Sequence, residues 1–147
     1  MTPAPKGSYR FVRGHAIPMS KREKPWRNLV SDNARIAMTR EKFTQFDKAV
    51  PVSVRITFFM PRPKTVKRHM PTVPPDIDKL CRAVLDALTD AGVWVDDSQV
   101  VDLGATKIYA SGIHIGAHIT VEGLASAEAS TEPRPCHWQY RGRARAG

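Results

Sequence analysis

The chain lacks any run approaching the roughly 18 consecutive apolar residues that a membrane span requires, so a membrane-embedded protein is not expected. Its opening residues, MTPAPKGSYRFVRGH, hold no apolar h-region, so no secretory signal is expected either. Cysteine is scarce: Cys81 and Cys136 have no CxxC spacing, which argues against a disulfide framework and for a reduced, cytoplasmic setting. There is no internal repeat. The 147 residues suit one domain, and 41% hydrophobic content suits a globular fold. His114 and His118 are four apart, but the surrounding alternation reads as a strand with both on its outer face, which argues against a zinc pair.

What the chain has is charge, unevenly placed. The net charge is +9. Residues 1–70 carry 16 Lys and Arg against 4 Asp and Glu, whereas residues 71–122 carry 3 against 8. The basic part suits a polyanion, because each neutralised phosphate releases condensed counterions. The acidic part would repel the same polyanion unless cations stood between. A merely solubilising basic surface explains the total but not the segregation.

Residues 1–25 read as a basic arm with one short strand at Tyr9–Val12. Trp26 to Met38 has helical spacing, with Trp26 buried. Val50 to Phe58 alternates as a half-buried strand, with Pro51 at an edge or outside the ladder. Met60 to Pro75 is a proline-rich basic loop carrying Lys64, Lys67 and Arg68. Asp78 to Ala91 is the strongest helix, because Leu80, Ala83, Val84, Ala87, Leu88 and Ala91 fall on one face and Gly92 supplies a stop. Gln99 to Tyr109 and Ile113 to Val121 read as strands joined by a hairpin turn at Ser111-Gly112. Residues 123–147 read as a mobile basic tail.

The chemistry concentrates in residues 74–102, PPDIDKLCRAVLDALTDAGVWVDDSQVVD. Asp76 and Asp78 are two apart where a helix begins, and in extended chain such side chains point the same way. Asp96 and Asp97 follow the helix. Clustered carboxylates repel one another until a hard cation such as Mg2+ relieves the repulsion. A metal ion held there can polarise a phosphodiester and generate the attacking hydroxide. Spacing alone permits this convergence without requiring it. The same aspartates also suit a helix start and a turn. Asp78 and Arg82, four apart, could equally form an ordinary helix-surface ion pair.

The pattern Asp76-Ile77-Asp78-Lys79-Leu80, then Asp86-Ala87-Leu88, then Gly92-Val93-Trp94-Val95-Asp96-Asp97-Ser98-Gln99-Val100 resembles the signature of the RusA-type Holliday junction resolvases. That signature runs D-x-D-N-L-x-K-A, D-A-L, G-x-W/Y-x-D-D-x-Q-V. The resemblance implies an α+β domain over residues 1–122, with a small mixed sheet of about four strands against two main helices. It implies a homodimer that binds four-way DNA junctions and nicks two strands symmetrically in recombination and repair. The expected cofactor is Mg2+, with Mn2+ as a substitute and no small-molecule cofactor. A phage or prophage origin follows, with action in the cytoplasm of a bacterial or phage-infected cell.

Carried onto this chain, the resemblance makes Asp76, Asp78 and Asp97 the catalytic and metal-binding carboxylates. Asp96 would be an assisting ligand or a turn cap. The family's lysine falls on Arg82 and its asparagine on Lys79, so this chain departs from the pattern twice. An arginine keeps the charge but is a poor proton donor. Expected DNA-backbone contacts are Lys21, Arg22, Lys24, Arg27, Lys64, Lys67, Arg68, Lys79 and Arg82. The alternative is a branched-DNA-binding protein of the same fold without catalysis. A ribosome-associated basic protein explains the charge but not the acidic cluster.

Overall fold

The computed structural model describes residues 1–7, 9–12, 15–18, 21–124 and 139–141, with backbone alone for 9–12, 15–18 and 139–141. The elements in chain order are β1 (Tyr9–Val12), β2 (His15–Pro18), α1 (Glu23–Arg40), β3 (Val52–Pro61), α2 (Ile77–Ala91), β4 (Val100–Ala110), β5 (Gly116–Gly123) and β6 (Gln139–Arg141). β1 and β2 form a two-stranded antiparallel pair, and the main sheet runs β4-β3-β5-β6. The α+β class and the two main helices are as expected, and the sheet comprises three long strands plus the short β6.

β3 is the middle of this arrangement. It pairs in parallel with β4 and antiparallel with β5. Val52, Val54, Ile56, Phe58 and Met60 are buried in alternation, which aims one row of the strand at the helices. The strand starts after Pro51, which lacks the N–H a ladder needs. α2 delivers Leu80, Ala83, Val84, Ala87 and Leu88 to the same core, and α1 delivers Trp26, Val30, Ala34 and Met38. Gly92 ends α2 at φ 77°, a left-handed conformation that glycine adopts without a Cβ clash.

Three expectations change. The hairpin between β4 and β5 does not exist: the two strands flank β3, and residues 111–115 cross its end. β3, α2 and β4 form a parallel crossover unit with β4 on one side of β3, and the returning β5 takes the other side. His114 consequently lies in a short 3-10 turn, Gly112–His114, rather than on a strand. The described part of residues 1–25 is not a loose arm either. Ala4 is buried, Lys6 N–H donates to Lys79 O, and the Lys6 ammonium lies 2.7 Å from Asp86 on α2. β2 and the start of α1 also fall within that span. The tail at 123–147 lies mostly outside the described residues. The part that is described includes β6, which pairs with β5 through His118–Thr120.

Candidate metal and nucleic-acid site

The parallel crossover sets the ends of α2 at opposite ends of the sheet. α2 has 15 residues and so spans about 22 Å. β4 runs back alongside it, and from Val100 to Lys107 covers about 23 Å. Asp76 and Asp78 stand at the helix start. Asp96 and Asp97 stand beyond its finish, just before β4. The structure therefore does not gather Asp97 with the first pair within one chain. Among the described residues no three His, Cys, Asp or Glu side chains form a metal-holding group.

The two acidic ends differ in what their carboxylates do. Asp76 is the N-cap residue of α2, with extended backbone (φ −69°, ψ 140°), yet its side chain makes no capping hydrogen bond. It lies instead 3.2 Å from the Lys79 ammonium. An exposed pair of this kind contributes at most a few tenths of a kcal/mol, so Asp76 remains open to another cation. Asp78, in the first turn, is exposed and forms no ion pair with Arg82. Both aspartates line an open cleft of about 590 Å³ with Thr72, Ala105, Thr106 and Lys107.

Asp96, by contrast, does what a turn aspartate is expected to do. Its carboxylate accepts the Ser98 N–H at 2.7 Å, while Gln99 Oε1 accepts the N–H of Val95 and of Asp96, a reciprocal capping box. Those bonds from Ser98 hold the Asp96 carboxyl below its ordinary range. Of the two roles expected for Asp96, assisting ligand or turn cap, the hydrogen bonds show the cap. Buried Gln99 also donates to Asp47 O and Val50 O, locking the turn to the chain ahead of β3. The neighbouring Asp97 carboxylate is exposed.

Cations collect at the Asp76 end. Arg22, Arg68, Lys79 and Lys107 line a second cavity of about 620 Å³ with Asp76, between the proline-rich segments at 3–5 and 71–75. Arg68 Nε donates to Tyr109 Oη at 2.9 Å, and Arg62 sits over the Tyr109 ring at 5.8 Å, which seats the basic loop against β4. Lys21, Lys24, Lys64, Lys67 and Arg82 are exposed but line neither cleft. Arg27 is a different case. It is bound to Asp90 through two bonds of 2.6 and 2.9 Å and lies near Asp86, so it ties α1 to α2. The bond to Asp90 raises the guanidinium further and lowers the Asp90 carboxyl.

Asp86, the aspartate of the D-A-L element, holds both Lys6 and Arg27, so that part of the pattern serves packing of the N-terminal segment and α1. Sequence reasoning missed Lys107 and Tyr109, which lie on β4 more than 25 residues after Asp76. Only the parallel return of β4 places them beside it.

The domain is a basic α+β fold whose crossover helix begins with two exposed carboxylates among cations, a surface suited to a polyanion. Comparison with known proteins is more specific: the chain belongs to the RusA endodeoxyribonuclease family, whose model matches residues 1–122. It is 43% identical over 60 residues to the crossover junction endodeoxyribonuclease RusA of Escherichia coli K12 and equally to that of Enterobacteria phage 82. Those alignments cover 41% of this chain and 42%, under half, of the relatives' length. The uncharacterized protein YqaN of Bacillus subtilis is 37% identical over 71 residues, covering 40% of this chain and 49% of that protein. No helix among the described residues is long and apolar enough to cross a membrane.

Proposed function

We propose that this protein is a Mg2+-dependent endonuclease that resolves four-way DNA junctions by paired nicks, acting as a homodimer. The observation that carries the reading is the pair Asp76 and Asp78, left uncapped and unpaired with Arg82 in an open cleft beside four cations. Mg2+ is commonly held by one or two carboxylates, several waters and a substrate phosphate, and Asp76 with Asp78 supply that set. Bound there, the ion would activate water and stabilise the departing oxygen. Arg22, Arg68 and Lys79 would hold the phosphate backbone on either side. Arg82, one turn along α2 from Asp78, is exposed and free of an ion pair with it, so a phosphate contact fits it better than the helix-surface pair.

Asp97 joins this site from a second copy of the chain. β4 is an edge strand of the main sheet, and Val95, Val101 and Leu103 on or beside it are exposed, Val101 by 64%. A long apolar edge invites strand pairing. Two copies pairing β4 about a two-fold axis run antiparallel. Centred near Asp102, that pairing would bring the Asp97–Gln99 turn that precedes β4 in each copy toward the Lys107 end of the other's β4, beside the Asp76 and Asp78 cleft. Two such sites on one dimer suit two symmetric nicks.

The test is incubation of purified protein with a labelled four-way junction and linear duplex, with and without Mg2+. Paired nicks in the junction that require the metal support the reading. Binding without any nick, at any Mg2+ or Mn2+ concentration, would establish the non-catalytic alternative.

A further inference from the structure

Lys107 is a cation near the acidic pair whose head group is held by two backbone carbonyls of the segment that leads into Asp76. Its ammonium donates to Val73 O at 2.9 Å and to Pro75 O at 2.8 Å. These carbonyls belong to the last residues before Asp76. The lysine itself comes from β4, so its two bonds fasten the end of the proline-rich loop to the sheet. Lys107 also lines both cavities that Asp76 lines. The Asp76 side chain has no capping bond of its own, and beyond its exposed 3.2 Å pair with Lys79 its direction depends on the backbone that leads into it. Lysine has three donors and no acceptor, so two carbonyls leave one N–H and the charge facing the clefts.

We propose that Lys107 is a positioning residue for the metal site: it clamps the Val73–Pro75 backbone and thereby aims the Asp76 carboxylate. The inference rests on the reading of Asp76 and Asp78 as the metal-holding pair. It differs in sign from a purely electrostatic role. A cation acting only through its charge repels a divalent ion, so its removal would tighten metal binding. A clamp that orients a ligand works the other way, because losing the support of a ligand typically weakens metal binding by about 10- to 100-fold.

The experiment is Mn2+ binding followed by electron paramagnetic resonance on the DNA-free full chain, for the wild type, Lys107→Met, Lys107→Gln and Lys107→Arg. Thermal melting and junction binding in EDTA are measured beside it. The expected result is Mn2+ binding weakened about tenfold or more in Lys107→Met, with metal-free junction binding within threefold of the wild type. Lys107→Arg restores most of the affinity. Lys107→Gln, neutral but still a donor, falls between Met and Arg, and it carries the test if the Met variant does not fold. Mn2+ bound equally or more tightly by Lys107→Met, or Gln indistinguishable from Met, would overturn the positioning role alone. A wild-type protein that binds no Mn2+ would overturn the carboxylate reading, and the clamp with it.

Discussion

The two ends of α2 carry the same chemical group in opposite circumstances. At its start, Asp76 sits at an N-cap position without capping, and Asp78 faces an open cleft. At its finish, Asp96 is tied into a capping box with a buried glutamine. Aspartate favours both helix starts and turns, so residue type alone does not separate them. The bonds do. A carboxylate that satisfies its own backbone is already in use, whereas one that declines to cap leaves a backbone donor and a charge for something else. The Asp96 end reads as scaffold that presents Asp97, and the Asp76 end as the place where chemistry begins.

Breaking the open end carries the largest expected effect. Asp76→Asn or Asp78→Asn should lower junction cleavage by at least about 100-fold, the scale seen when a transition-state charge stabiliser is removed. Melting temperature and metal-free junction binding should be unchanged, because neither carboxylate holds the fold. A gel assay beside a melting curve checks both halves, and full cleavage by Asp76→Asn would remove that residue from the mechanism.

Breaking the scaffold end should do the reverse. Gln99→Ala leaves the Val95 and Asp96 N–H groups and the Asp47 and Val50 carbonyls without their buried partner, a loss of about 2–3 kcal/mol in urea unfolding. Asp96→Ala, a smaller lesion, should lower the melting temperature by a few degrees and slow cleavage less than tenfold. Asp97→Asn should abolish cleavage with no change in melting. If Asp96→Ala instead matched Asp97→Asn in cleavage, Asp96 would be a ligand after all.

The smallest effect concerns acid. Arg27 holds the Asp90 carboxyl below its ordinary value. Its folded pKa is the lower one, so its contribution is fully present above the unfolded value of about 3.9. It is lost as pH falls through the depressed folded value. Stability from this pair should therefore be flat from pH 5 to 8 and decline only below about pH 4. Asp90→Asn should flatten that acid limb slightly in melting curves, and an unchanged limb would show that the exposed pair adds nothing.

Much of this was legible in residues 50–110. The 3.6-residue period of Leu80 to Ala91 and the alternation of Val52 to Phe58 are strong local signals, because one face of each is buried. The extent of α1 was underestimated, since its first turn, from Glu23, lies before Trp26 and offers no apolar residue to count. The strand order was not legible. A short connection such as Ser111-Gly112 signals a turn but not which neighbour the next strand takes. For the same reason Lys107 stayed hidden: its partners, Val73 and Pro75, are 34 and 32 residues away. The resemblance set Asp97 apart from Asp96, but the capping bond that distinguishes Asp96 is visible only in the structure.

The central claim is that a working site needs Asp76 and Asp78 from one copy and Asp97 from the other. Mixing the Asp78→Asn and Asp97→Asn proteins, with subunit exchange, tests it directly. Each alone is predicted to be inactive. A mixed dimer then has one site with both lesions and one intact site, so the mixture should nick a four-way junction in one strand. No nicking by a mixture shown to contain the mixed dimer, while the wild type cuts, would contradict the account.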